Sequence, residues 1–367
     1  MKKHIWMLIL VCFSVSLFAA MPAEEIRAGL ESRDKALHIK DGWIRDPYIV
    51  LSPHGWYYLT GTTPLPDNPQ QYENPYNVGL GGVSVVGYKM QAWRSKDLVE
   101  WEYLGTPYSI MDGIWPKAKP ERFRNVDKSR WRLWAPEIHN VGGKWAIVHT
   151  SPSPVKGANL SLTDDFKLEG PYENPMGADI GRKHDPSLFR DESGTVWMIW
   201  GATQTAPLKD DFSGFKAKPA KIGPPNRNIG HEGCLMRKIG DKYVLFGTGW
   251  STLKMRHGSY NLYYSVADEI TGKYSDRKFA GRFLGHGTPF QDKEGNWWCT
   301  AFYNADVPPI GKVAAETMDI SGDAYTINEQ GVTIVPMDIS QLDSGEIHVK
   351  ALDPAYESPG EDEKQEF

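Results

Sequence analysis

The sequence predicts an all-β fold: a five-bladed β-propeller in a single domain, with no clear β-sandwich appendage. Three observations carry this. A short pattern occurs five times, each copy a polar start, a short apolar strand, a Gly- or Asp-bearing turn and an aromatic-rich second strand. The copies start at residues 46, 137, 185, 232 and 286, spaced 91, 48, 47 and 54 positions apart. A strand-built period of about 50 residues is one four-stranded blade. Finally, no helical pattern of blade-linking length separates the strands, which argues against βαβ units.

Taken in order, residues 1–23 read as a signal peptide. Lys2 and Lys3 precede an apolar run from Ile5 to Phe18, and Ala19, Ala20 and Ala23 offer cleavage points. The run is too short to span a bilayer comfortably, so a secreted or periplasmic protein without a membrane span is expected. Residues 24–41 are charged and form a short helix or an N-terminal arm. The propeller occupies 42–350. Its first copy runs from Asp46-Pro47-Tyr48 to Gly55-Trp56-Tyr57-Tyr58, its second from Pro136-Glu137-Ile138 to Gly143-Lys144-Trp145. The third runs from Asp185-Pro186-Ser187 to Trp197, the fourth from Glu232-Gly233-Cys234 to Tyr243, the fifth from His286-Gly287-Thr288 to Trp298. Two insertions, Pro64 to Gly82 and Tyr108 to Arg130, lengthen the first interval. Outer strands recur as Gln91 to Ser95, Asn159 to Leu162 and Tyr263 to Ser265, each followed by an acidic turn. Residues 351–367 are an acidic tail, read as disordered from Ala355 onward.

Composition narrows the function classes. A net charge of −5 gives no electrostatic ground for a nucleic-acid partner. The chain carries 14 Trp, 17 Tyr and 13 Phe, enough to stack sugar rings or simply to fill β-rich cores. Beyond Cys12, inside the signal segment, only Cys234 and Cys299 remain. Two buried thiols are expected ahead of a disulfide.

Asp46, Glu137, Asp185 and Glu232 stand at the same phase of successive copies, so a propeller would gather four carboxylates at one mouth of its channel. Crowded carboxylates raise one another's pKa. Glycoside hydrolysis needs that asymmetry, one protonated carboxyl for the leaving oxygen and one ionised carboxylate to activate water or attack carbon. A single Asp-Pro dyad also starts strands for backbone reasons alone. No nucleophile elbow, zinc-binding His-Glu-x-x-His or phosphate-binding glycine loop occurs.

Arg45-Asp46-Pro47, Trp134-Ala135-Pro136-Glu137-Ile138-His139, His184-Asp185-Pro186, His231-Glu232-Gly233 and Gly285-His286-Gly287 occur in an order that resembles glycoside hydrolase family 43. The resemblance covers about Gly42 to Ile339, and the Trp-Ala-Pro-Glu-Ile-His string is its most specific part. It implies a five-bladed propeller acting with inversion. Asp46 would be the general base, Asp185 the carboxylate that tunes and orients the acid, and Glu232 the general acid. His286 would be the channel histidine beside a hydrated calcium ion, Glu137 part of the substrate floor and Trp134 a pocket wall.

The chain departs from the family pattern in places. Glu232 is followed by Gly233-Cys234 where Gly-Pro is common, and Arg182, Lys183 and His184 replace small apolar residues before the second Asp-Pro. With Arg45 and His231 they put cations near the mouth, which either pair with the carboxylates or bind an anionic sugar such as a uronate or a sulfated one. The expected function is hydrolysis of a terminal glycosidic bond in a plant or algal oligosaccharide or polysaccharide, in the manner of an α-L-arabinofuranosidase. The alternatives are a fructan-type propeller hydrolase and a non-catalytic carbohydrate-binding propeller.

Overall fold

The structure, a computed structural model, describes residues 21–73, 84–164, 167–305 and 307–360. Its strands build five antiparallel blades in chain order. Blade one comprises Arg45–Leu51, Tyr57–Thr62, Ala92–Ser95 and Glu102–Tyr103, from the channel outward. Blade two comprises Arg132–Val141, Lys144–Ser153 and Gly157–Thr163, with a bridge from Leu162 to Glu173 at its outer edge. Blade three runs through Ser187–Arg190, Val196–Trp200, Gln204–Pro207 and Ala220–Lys221. Blade four runs through Glu232–Ile239, Lys242–Trp250, Gly258–Ala267 and Lys278–Gly281. Blade five holds Pro289–Gln291, Trp297–Ala301 and Gly331–Gln341.

A blade in a propeller has a neighbour on both faces, so its middle strands lose the apolar–polar alternation of a one-sided sheet. Gly157–Thr163 is buried at every position, and Lys144–Ser153 is buried through seven consecutive residues. Among the described residues hydrophobic burial is accordingly divided into five large clusters, one between each pair of adjacent blades. Val148 and Leu160 of blade two meet Leu188 and Met198 of blade three. Phe246 and Leu262 of blade four meet Val335 and Met337 of blade five. Cys234 and Cys299 are free, buried thiols in two of these clusters.

The ring is closed by the segment read as a helix or arm. Ala23–Ser32 is a helix, and Leu37–Asp41 is a strand that pairs antiparallel with Gly331–Gln341, Leu37 opposite Ile334 and Asp41 opposite Gly331. Ile347–Ala351 continues the same outer edge. The helix lies so close to this strand that a Cβ at Gly29 would stand 2.2 Å from Leu37 Cδ2. The tail is ordered further than its composition suggests. Tyr356 is buried and donates to Asn328 Oδ1 at 2.7 Å, and Asp353 accepts from Ala36 N–H at 2.8 Å and pairs with Lys312 at 3.1 Å. One aromatic anchor and one buried carboxylate dock the start of a segment whose average composition is that of a solvated tail. Residues 1–20 and 361–367 lie outside the described residues, as does 74–83 of the first insertion. The second insertion packs on blade two, where Trp115 Nε1 donates to Ala158 O at 2.7 Å.

Leu37 is fully buried in the cluster between blades five and one. Leu37→Ala should lower the unfolding free energy by about 2–4 kcal/mol, read from the denaturant midpoint. A change below about 0.5 kcal/mol, the range of surface substitutions, would mean that this strand does not close the ring.

Candidate active site

Every blade enters the channel through one residue with a left-handed backbone. These are Asp46 (φ 51°), Ala135 (42°), Asp185 (43°), Gly233 (60°) and His286 (55°). In three blades the pairing with the second strand slips there, between Arg45 and Tyr48, Trp134 and Glu137, and Glu232 and Leu235. A non-glycine residue in this region costs roughly 1–2 kcal/mol, so neighbours must hold it. Buried threonines do so. Thr62 Oγ1 accepts from Ala135 N–H and donates to Asp46 Oδ2, both at 2.7 Å. Thr150 Oγ1 accepts from Asp185 N–H at 2.8 Å, and Thr248 Oγ1 donates to Glu232 O at 2.8 Å. Thr300 Oγ1 accepts from Thr288 N–H at 2.8 Å and donates to Pro47 O at 2.7 Å. In blade four the kink is a glycine because a Cβ there would stand 2.9 Å from the His286 ring.

The kinks correct the expected phase of the acids. Asp46, Asp185 and His286 are equivalent positions, whereas Glu232 precedes its kink by one residue and Glu137 follows its own by two. Glu137 Oε2 lies 2.7 Å from His139 Nε2, and His139 Nδ1 lies 3.2 Å from Tyr48 Oη. Glu137 is therefore tied to that histidine and not to the Asp185–Glu232 cluster.

The other three acids meet around histidines. Asp46 presents Oδ2 to Thr62 and Oδ1 to His286 Nδ1 at 3.2 Å. His184 Nε2 stands 3.3 Å from both Asp185 Oδ2 and Glu232 Oε2. Glu232 Oε1 accepts from Tyr260 Oη at 2.6 Å and lies 3.4 Å from His231 Nε2. His231 in turn stacks on Tyr260 with ring centres 5.4 Å apart.

The charges follow from these contacts. Burial pushes Asp185 up, partly offset by His184 and His286, to about 6. Burial also opposes a charge on Glu232, but hydrogen bonds from His184 and His231 outweigh it and hold the carboxyl well below its usual range. The hydrogen bond to Glu232 raises His184 to about 9. Burial works against a charged His286, yet Asp46, Asp185, Glu232 and Glu137 together raise its pKa. In the free protein the shared proton thus rests on His184 and not on Glu232.

The expected binding residues separate into three groups. His184 and His231 pair with the acids. Trp134 packs on Trp43, Val85 and Val86, with its ring 6.4 Å from that of His184, and lines a cavity together with Arg182. Arg45 is buried, its guanidinium 5.8 Å from the Phe302 ring centre, below the surface of the mouth. Five contributors were missed in the sequence. Thr62, Thr150 and Thr248 each follow an aromatic of their second strand by the same five positions (Tyr57, Trp145 and Tyr243), a signal that was there to be read. Tyr260, on a third strand, and Lys156, on a loop, carry no such mark.

Asp46 Oδ1 is 3.2 Å from His286 Nδ1, whereas the acidic and imidazole ligand atoms that lie close enough together to share one ion, among the described residues, are those of His184, Asp185 and Glu232. Calcium prefers oxygen ligands, and the carboxylates whose field raises the His286 pKa supply the negative charge. His286 itself, with Nδ1 turned to Asp46, would meet such an ion through water.

The family profile of glycosyl hydrolases family 43 matches residues 39–306. The chain is 27% identical over 145 residues to an extracellular endo-α-(1→5)-L-arabinanase of Thermotoga petrophila, 32% of this chain and 31% of that protein. It is 24% identical over 225 residues to an extracellular exo-α-(1→5)-L-arabinofuranosidase of Cellvibrio japonicus, 53% of this chain and 62% of that one. The chain thus spans about a third and under two thirds of these relatives' lengths. In fold it resembles an α-L-arabinofuranosidase from Clostridium thermocellum, with a TM-score of 0.55 at 16% identity over 86% of this chain and 94% of the other.

The pH dependence has a defined sign. His184 acquires its acidic partners only on folding, so its stabilisation is complete below about 6.5 and is lost as pH rises through about 9. Glu232, held low, stabilises above its ordinary value near 4.5 and loses this as the solution is acidified. An NMR titration should place the His184 ring midpoint near 9 in the wild type and move it toward 6.5 in Glu232→Gln. A wild-type midpoint at or below 6.5 contradicts the pairing.

Proposed function

The chain belongs to glycosyl hydrolases family 43, and from that premise we propose that it is an exported inverting glycosidase. The bond cleaved is a terminal glycosidic linkage of a plant or algal oligosaccharide, with an α-L-arabinofuranoside as the leading candidate. The observation that carries this reading is the separate anchoring of two carboxylates. Asp46 is oriented by Thr62 and His286, and Glu232 by Tyr260, His184 and His231. Two carboxyls in unlike environments are what an acid–base pair requires. The arabinan-cleaving relatives support the pentose, and their extracellular location supports export.

The chemistry balances on these residues. Asp46 accepts a proton from a water molecule as that water attacks the anomeric carbon. Glu232, ionised at rest, first takes a proton from His184 Nε2 across 3.3 Å and then delivers it to the leaving oxygen. The proton gained by Asp46 returns to solvent and His184 takes one up from solvent, which leaves the cluster as it began. Asp185, with its pKa raised toward 6, keeps His184 in place. Calcium, if bound beside His286, would supply a fixed positive field in the channel, with His286 and the surrounding acids holding its water shell.

Glu232→Gln and Asp46→Asn should each lower kcat on an aryl arabinofuranoside or xyloside by about 10²–10⁴-fold, measured by release of the aryl group. Turnover equal to wild type across an aryl glycoside panel would end the hydrolase reading. For the ion, millimolar calcium added to chelator-treated protein should raise Tm by a few degrees. No shift removes calcium from the account.

A further inference from the structure

The expected cations at the mouth divide sharply once their partners are known. His184 and His231 are taken up by the carboxylates, and Arg45 is buried against Phe302. Lys183 is also engaged. Its ammonium donates to Ile180 O and sits 5.0 Å from the Trp200 ring and 5.1 Å from Phe215. Arg182 and Lys156 differ. Both are exposed, and among the described residues neither has an acidic partner. They line one cavity of about 290 Å³ with Trp134, Thr150, Pro152 and His184.

That cavity adjoins the acids directly. His184 belongs to its wall and touches Asp185 and Glu232, and Thr150 Oγ1 lies 3.4 Å from Asp185 Oδ1. An aromatic flank, a hydroxyl and two unpaired cations converge on a space of ligand size. Among the described residues no acid balances either cation, and a guanidinium plus an ammonium on one cavity suit a carboxylate or a sulfate. A neutral pentose would leave both charges unused.

We propose that this cavity, bounded by Trp134, Lys156, Arg182 and His184, is a subsite for a sugar carrying an anionic group, a uronate carboxylate or a sulfate ester, next to the bond being cleaved. The inference rests on the glycosidase reading for the words "next to the bond being cleaved", and on the cavity alone for the anion. Charge selection here is exercised by Arg182 and Lys156, which take no part in proton transfer. The substrate class is thereby narrowed from neutral arabinans and xylans to acidic oligosaccharides.

The test uses probe pairs that differ only in charge: a xylo-oligosaccharide with and without a glucuronate branch, and a galacto-oligosaccharide with and without a sulfate ester. Calorimetric binding is measured on the full chain carrying Asp46→Asn to prevent turnover, with kcat/KM measured on the wild type. At least one charged probe should bind about tenfold or more tightly than its neutral twin. Arg182→Ala with Lys156→Ala should erase that advantage and leave Tm unaltered. Which charged probe wins identifies the anion. Equal binding of charged and neutral twins, an advantage that survives the double substitution, or binding of none of the probes overturns the proposal. Charge-selective binding with no turnover of any probe would instead count against the glycosidase reading and leave the subsite standing. Turnover of neutral twins without charge preference would do the reverse.

Discussion

The left-handed residue at the mouth of each blade is the constraint on which the rest depends. A strand that simply continued its pleat would point alternate side chains into the neighbouring blades, as the buried middle strands do. The kink interrupts that alternation once per blade, at Asp46, Ala135, Asp185, Gly233 and His286. Four of these residues lack the freedom of glycine, and threonines on the second strands brace the kinks by bonding the backbone at Ala135, at Asp185 and, two residues past His286, at Thr288. Thr62 joins the two purposes. Its single hydroxyl accepts from the kink of blade two and donates to the carboxylate of blade one.

This bracing links architecture to electrostatics. Because neighbouring blades share the threonines, the acids cannot move apart to relieve their repulsion, and histidines from the same strand ends neutralise them instead. The result is unequal. Glu232, between His184 and His231, is held ionised, and Asp185 is pushed toward neutrality. Asp185 and Glu232 begin strands of adjacent blades and have opposite shifts, set by which histidines reach them. A proton kept on His184 is available to Glu232 without either carboxyl having to carry it in the resting protein.

Much of this was legible in the chain. The five-fold strand pattern located all five blades and the second strands that carry the threonines, because each blade is a local unit of consecutive hairpins. The ring closure was not legible, since Leu37 and Ile334 meet across nearly the whole sequence and a single short strand has no pattern of its own. The phase of Glu137 and Glu232 was misread because a bulge moves a side chain by a position or two without altering the spacing of motifs. The docking of Tyr356 escaped because acidic composition averages over the one residue that matters. Local cationic motifs also misled in detail. Of the basic residues bracketing Asp46 and Asp185, Arg182 is exposed and without an acidic partner among the described residues, and Lys156, far from any motif, joins it.

In the proposed reaction Asp46 and Glu232 act from opposite sides of the reacting carbon, with a water activated by Asp46, so that the attack inverts it. The anomeric configuration of the first product, followed by proton NMR in the opening minutes of a turnover reaction before mutarotation, measures this directly. Inversion predicts that the sugar released first has the configuration opposite to that of the bond cleaved. Release of the sugar with retained configuration would contradict it, because retention requires a carboxylate at the anomeric carbon in place of the water.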